Sequence, residues 1–230
     1  MKYKHLLFDV DGTLFDYDKS EANALAMAFE LSGFSFKKDY LNVYRRINHK
    51  LWLDFEQGLI DPAAIRERRF EELFNELHLH QDVKEFSEAY LENLSYNTNL
   101  VDGAEELIKL LWKKYTLSII TNGLAVVQRR RLESSVLFKY IDHIIISEEI
   151  NYVKPSVEYF KYVFNELGNP DKKEVLIIGD GLTSDIQGGV NFGIDTCWFN
   201  PQRKPNETAM KITYEIYSLN ELMHILNNQA

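Results

Sequence analysis

Four short apolar runs, each ending abruptly in polar residues, limit what this chain can fold into more than any other feature: Leu6 to Asp9, Leu117 to Asn122, Ile144 to Ser147 and Val175 to Asp180. A fifth, less regular run is Thr196 to Phe199. Apolar character that is continuous rather than alternating belongs to strands covered on both faces, as in parallel sheets. Between the runs the period becomes helical. Ala104 to Lys114 carries Leu107, Ile108, Leu110 and Leu111, with Asp102 and Glu105 at capping-box spacing. Val157 to Leu167 and Ile186 to Phe192 are each followed by a glycine, Gly168 or Gly193, suited to a helix C-terminus. Strand alternating with helix predicts an α/β fold with a Rossmann-like, doubly wound parallel sheet.

The alternation lapses from about Asp16 to Asn99, an interval too long for a loop. It reads as consecutive helices. Asp18 with Glu21 is expected to open the first and Gly33 to close it, a second lies around Leu41 to Phe55, Asp61-Pro62 caps a third, and Asp82 with Glu85 opens a fourth. We therefore expect a four-helix cap domain, residues 16–99, inserted into a core built from residues 1–15 and 100–230. The insertion follows the first strand directly, so it stands above the sheet edge where open α/β folds bind ligands. A lid is the expected role.

Charge and cysteine content narrow the partners. A net charge of -9 supplies no basic face for a nucleic-acid polymer. An anionic ligand must then be met locally, by a cation, a lysine and backbone N–H groups. The single cysteine, Cys197, permits no intrachain disulfide and reads as a buried apolar residue. No stretch approaches the roughly 18 apolar residues of a membrane span, and no signal peptide precedes the first strand, so a cytoplasmic location without membrane attachment is expected.

The strand ends carry the chemistry. Asp9-Val10-Asp11-Gly12-Thr13 puts two carboxylates two residues apart at the ligand edge, suiting nucleophilic attack by one and proton transfer by the other. Alone, it also reads as a turn. Thr121-Asn122-Gly123 offers a hydroxyl, an amide and a flexible backbone, although a plain turn has the same composition. Lys154 precedes a proline that favours an extended backbone and directs the ammonium to the same edge. Gly179-Asp180-Gly181-Leu182-Thr183-Ser184-Asp185 adds two more acids. Carboxylates gathered at one edge repel one another, and a hard divalent cation with oxygen ligands removes that cost. Mg2+ fits better than calcium, which takes more protein oxygens, and no His/Cys cluster argues for zinc. The run Arg129-Arg130-Arg131 reads as a solvated helix face rather than a nucleic-acid patch.

These four motifs together resemble the haloacid dehalogenase (HAD) superfamily over nearly the whole chain. The resemblance implies that Asp9 is the nucleophile, and that Asp11 protonates the leaving oxygen and then activates water. It implies that Thr121, Asn122 and Lys154 hold the phosphoryl group. Mg2+ would be held by the Asp9 carboxylate, the Asp11 backbone carbonyl and Asp180, with Asp185 a further acid steering Lys154 or a water on the metal. An acid at position 11 favours phosphate-ester cleavage over dehalogenation, because a departing halide needs no proton.

Ile47-Asn48-His49-Lys50-Leu51-Trp52, Phe55-Glu56-Gln57-Gly58, Gln128 to Leu132 and Ile194 to Trp198 look like the bacterial pyrimidine 5'-nucleotidase branch. The substrate so implied is a nucleoside monophosphate, a small phosphorylated metabolite. Asn48 and Trp52, one helical turn apart, are placed to meet a base, and Trp52 also suits core packing. Gly12 stands where that branch often has an acid and Gly181 where it has serine, which bears on substrate preference. The core motifs equally permit a sugar-phosphate or phosphoglycolate phosphatase. A binding protein without turnover is the remaining reading, and the oligomeric state is left open.

Overall fold

The computed structural model describes residues 2–228; Met1, Gln229 and Ala230, at the outer ends of the expected core segments, lie outside the described residues. Strand β1 (His5–Phe8) is followed by four helices, α1 (Tyr17–Leu31), α2 (Lys38–Glu56), α3 (Pro62–Leu77) and α4 (Val83–Tyr96). Helix α5 (Ala104–Leu111) then leads to β2 (Thr116–Thr121), α6 (Ala125–Ser134), β3 (His143–Ile146), the short α7 (Ser147–Ile150) and α8 (Val157–Glu166). The chain ends with β4 (Val175–Gly179), a π-helical turn at Leu182–Ile186, α9 (Gln187–Phe192), β5 (Asp195–Phe199), β6 (Tyr214–Ile216) and α10 (Glu221–Asn227).

The strands form one parallel sheet in the order β3-β2-β1-β4-β5-β6. Alternate residues of each strand feed two cores. Leu6, Phe8, Leu117, Ile119, Leu176 and Ile178 pack under α5 and α10, whereas Leu7, Ile120, Val175 and Ile177 pack under α8 and α9. This two-sided burial is why the strands read as unbroken apolar runs. Phe8 lies opposite both Ile119 and Ile178, so Asp9, Thr121 and Asp180 leave the sheet at one edge. The chain builds outward from β1 in both directions, and β1 therefore stands at the topological switch point where such sheets bind ligands.

The four inserted helices form a helical cap with a core of its own. Helix α1 packs on α4 and α2 on α3, around an aromatic cluster in which Phe86 lies 4.9–5.0 Å from the rings of Phe29, Phe70 and Phe74. Leu124, at the N-cap of α6, and Val127 within it join that cluster, so the cap rests on a core helix. Its two connections pair with each other: Asp16 N–H donates to Asn99 O, and Val101 N–H to Leu14 O, both at 2.9 Å.

Several expected boundaries shift for identifiable reasons. Asp16, not Asp18, caps α1, accepting from Lys19 N–H at 3.0 Å; Asp18 instead faces Arg45 at 3.2 Å. The Asp102–Glu105 box does not form, because Gly103 takes a left-handed conformation (φ 82) in the N-cap position and α5 starts without a side-chain cap. That helix stops at Leu111 rather than Lys114, since Trp112 is extended at ψ 141. Asp61 and Asp82 do cap α3 and α4, Gly33 follows α1 at φ 77, and Gly168 and Gly193 take the positive φ expected of them. Cys197 is buried in the sheet.

Candidate active site

The floor of the site is a buried ion cluster. Lys154, 1% exposed, lies beneath the edge of β1, and its Nζ donates to Asp9 Oδ1 and Asp185 Oδ1, each at 2.7 Å, and to Ile120 O at 3.0 Å. All three of its protons are thus committed. Asn122 fixes the lysine from behind: its amide accepts from Lys154 N–H at 2.9 Å and donates to Lys154 O at 2.8 Å. Thr121 Oγ1 accepts from Gly123 N–H at 3.0 Å. Both sequence-marked residues therefore stand at the cluster, and in this state both brace backbone.

Asp185 reaches Lys154 because the chain makes a wide turn after β4. Asp185 N–H and Ile186 N–H both donate to Gly181 O, at 3.0 and 3.1 Å, and Gly181 N–H donates to Asp185 Oδ2 at 3.1 Å. Asp180 is braced by Thr13, whose Oγ1 accepts from Asp180 N–H at 3.0 Å, and by Trp198, whose Nε1 donates to Asp180 O at 3.0 Å. Gly12 has φ 88, and a Cβ there would lie 2.4 Å from Asp180 Oδ2. A side chain at position 12 would displace the Asp180 carboxylate, so this departure from the branch pattern is built into the floor. A Cβ at Gly181 meets Ser184 Oγ at 2.3 Å, a contact that a hydroxyl rotation relieves only in part, because Asp185 Oδ2 is also 3.0 Å away.

Oxygens of Asp9, Asp180 and Asp185 lie within 4.8 Å of one another. Removal from water and the Asp185 charge raise Asp9 well above the ordinary carboxylate range, against the pull of Lys154. Asp180 keeps contact with solvent through the cleft, but crowding by protein and the Asp185 charge push it up to about 7. Burial works to remove the Lys154 proton, and the Asp185 and Asp9 charges outweigh it. Three acids thus face one ammonium. A hard cation with oxygen ligands offsets that excess. Asp185 has both oxygens occupied, by Lys154 and Gly181 N–H. Asp9 Oδ2 and Asp180 Oδ2 take no hydrogen bond from any described residue, and these are the atoms that fit Mg2+.

Above the floor opens a cleft of about 370 Å³ whose roof is α1 and α2. Trp52 is half-buried, lines the cleft and meets Phe55 edge-on at 5.7 Å. Asn48 is buried at the cleft wall, accepting from Arg69 at 3.5 Å and donating to Glu21 at 3.3 Å and to Tyr17 at 3.4 Å. Glu56, at the end of α2, accepts from Thr183 Oγ1 at 2.7 Å and so joins roof to floor.

Asp11 is held differently from Asp9. Gln128 Nε2 donates to its Oδ2 and Arg131 Nη1 to its Oδ1. The reading of Arg129 to Arg131 as a solvated face is therefore corrected. Arg131 is fully buried; Arg129 pairs with Glu149, and Arg130 lies over the Tyr96 ring and donates to Ser95 Oγ. Because α6 packs between core and cap, only one side of it meets water. Sequence reasoning also left Thr13, Gln128 and Glu56 out of the site. Thr13 was legible as the last residue of the first motif; Glu56 and Gln128 stood only within stretches that resemble the nucleotidase branch, with no role until the fold brings Glu56 to the cleft and Gln128 to Asp11.

Residues 6–199 match the family model for the haloacid dehalogenase-like hydrolases. Bacillus subtilis YfnB, whose HAD-hydrolase name is provisional, is 41% identical over 226 residues, covering 98% of this chain and 96% of YfnB. The pyrimidine 5'-nucleotidase PynA of Streptococcus pneumoniae is 35% identical over 228 residues, covering 99% of this chain and 96% of PynA. The pyrimidine 5'-nucleotidase YjjG of Escherichia coli is 32% identical over 226 residues, covering 98% of this chain and 99% of YjjG. A crystal structure of YfnB bound to magnesium overlays with a TM-score of 0.93 at 40% identity, covering 99% of this chain and all of that one. Among the described residues no helix is long and apolar enough to cross a membrane. Matched along nearly its whole length and sharing its fold with these proteins, the chain belongs to the haloacid dehalogenase-like hydrolase family of enzymes.

Proposed function

We propose that this enzyme is a magnesium-dependent phosphomonoesterase acting through an aspartyl-phosphate, with pyrimidine nucleoside 5'-monophosphates as its substrates. The observation that carries this reading is the floor cluster, in which one buried ammonium holds Asp9 while Asp9 Oδ2 and Asp180 Oδ2 stay free. Asp9 forms a bond to phosphorus as the ester P–O bond breaks, and the Asp11 carboxyl gives its proton to the departing oxygen. Asp11, now a carboxylate, then takes a proton from water, whose oxygen attacks the phosphorus and releases Asp9. Lys154, with Thr121 and Asn122, steadies the phosphoryl oxygens, and Asp185 keeps Lys154 charged and in place. When bound, Mg2+, held by the side chains of Asp9 and Asp180 with the Asp11 carbonyl, supplies positive charge that lets phosphate approach these acids.

The nucleotidase assignment draws on PynA and YjjG. The roof supports it: Trp52 offers a ring on which a base can stack, and Asn48 stands in the wall beside it, where a base would have to compete with Glu21, Tyr17 and Arg69 for its amide. Residues 16–99 serve as the cap over a core of residues 1–15 and 100–230, and interdomain movement described for YfnB belongs to the same picture. The test is phosphate release from a panel of nucleotides and sugar phosphates, with and without magnesium. Release should need magnesium, favour pyrimidine nucleotides and disappear in Asp9→Asn. Metal-independent release or full activity of that variant defeats the mechanism, and equal, feeble turnover across the panel removes the nucleotidase assignment.

A further inference from the structure

Asp11 differs from the floor acids in where its partners come from. Each of its oxygens accepts one hydrogen bond from α6, Oδ2 from Gln128 and Oδ1 from Arg131, residues one helical turn apart on one face, and each keeps a second lone pair that can carry a proton. Gln128 reaches across Gly123 to do so: a Cβ at that glycine would lie 2.1 Å from Gln128 Nε2. Arg131 is anchored on both connections to the cap. Its Nε donates to Asn97 O at 3.0 Å, and its guanidinium lies 4.7 Å from the centre of the Phe15 ring.

Local stability does not account for this pair. Gln128 Oε1 and Arg131 Nη2 are buried with no hydrogen-bond partner among the described residues. A buried cation and amide left partly unsatisfied cost more than apolar side chains of similar size in the same place. Helix α6 already has Leu124, Val127 and Leu132 for packing. What Gln128 and Arg131 do together is fix one carboxylate.

We propose that Gln128 and Arg131 are positioning residues for Asp11, setting its carboxyl where it can give a proton to the leaving oxygen. The proposal rests on the phosphatase reading above. Neither residue needs to touch substrate, and both act through Asp11.

The test uses kcat/KM, which reports events up to departure of the leaving group. A nucleoside 5'-monophosphate leaves as a basic alkoxide that needs a proton, whereas p-nitrophenyl phosphate leaves as a weakly basic phenolate that does not. Gln128→Leu and Arg131→Met should lower kcat/KM for the nucleotide about 10- to 100-fold, a share of what general acid catalysis supplies, with a loss of about threefold or less for the aryl ester. Arg131→Lys should recover part of the nucleotide activity. Should Arg131→Met fail to fold, as judged by its melting curve, Gln128→Leu decides. Equal losses on both esters, or no loss on either, overturn the proposal while leaving the phosphatase reading intact. Wild-type protein that releases phosphate from neither ester in magnesium overturns both.

Discussion

The floor and the roof of the cleft treat buried charge in opposite ways. On the floor, Asp9, Asp180 and Asp185 gather around the single ammonium of Lys154. In the roof, Asp18 and Glu21 are matched by Arg45, at 3.2 and 2.8 Å, and the buried Arg69 is surrounded by Tyr44, Asn48 and the rings of Phe70 and Tyr90. In the roof acids and guanidinium groups thus offset one another in number, although Arg69 Nε and Nη2 lack hydrogen-bond partners among the described residues, while the floor carries surplus negative charge. Such surplus is costly in a recessed site unless something cationic arrives. On the function proposed above, the contrast separates the region that would hold a reacting group from the region that would shape its surroundings.

The strongest way to break this contrast is to remove the one compensating charge. Lys154→Met should destabilise the metal-free protein by about 3–5 kcal/mol, because two buried carboxylates lose their partner. Denaturant titration in chelator measures it, and a loss below 1 kcal/mol, roughly what an exposed pair contributes, would mean the floor is not held by charge. In the roof the expected effect is smaller and falls on binding. Trp52→Ala should raise KM for the nucleotide about tenfold and for p-nitrophenyl phosphate by less, while the lost contact with Phe55 lowers the melting temperature. Equal rises would show that the roof does not read the base.

The smallest effect follows from proton binding. Asp9 and Asp180 keep their protons to higher pH in the folded chain than in the unfolded one, Asp180 to about 7. The folded state therefore binds more protons from about pH 4 upward, and stability contributed by these groups falls as pH rises toward 7. Magnesium should then raise the melting temperature by a few degrees more at pH 8 than at pH 5. An equal shift at both values would contradict the charge surplus.

What could be read from the sequence follows the same division. Strand ends β1 to β4 were legible because two-sided burial leaves continuous apolar runs, and every floor residue sits within a residue or two of such an end or, like Lys154 and Asp185, in the motif that follows it. Strand β6 was not, since Tyr214-Glu215-Ile216 is three residues long with its glutamate exposed. Helix α10 likewise carried no signal strong enough to mark. In the cap, Asp61 and Asp82 announced their helices, yet Asp16 and Asp18 are chemically alike and only the chain's exit from the core selects the first as a cap. Arg131 was misread because identical neighbours on a helix divide between a surface glutamate, a ring and the half-buried Asp11 according to what packs against each face.

Helix α6 belongs to two cores at once, with Leu124 and Val127 in the cap cluster and Leu132 beneath the sheet. A cap hung only on its paired connections would be free to swing open like a door. Here Leu124 and Val127 also lie in the cap cluster, and parting the cap from α6 would expose that apolar surface to water. Contact along α6, as well as the paired connections, therefore opposes any separation of the two cores.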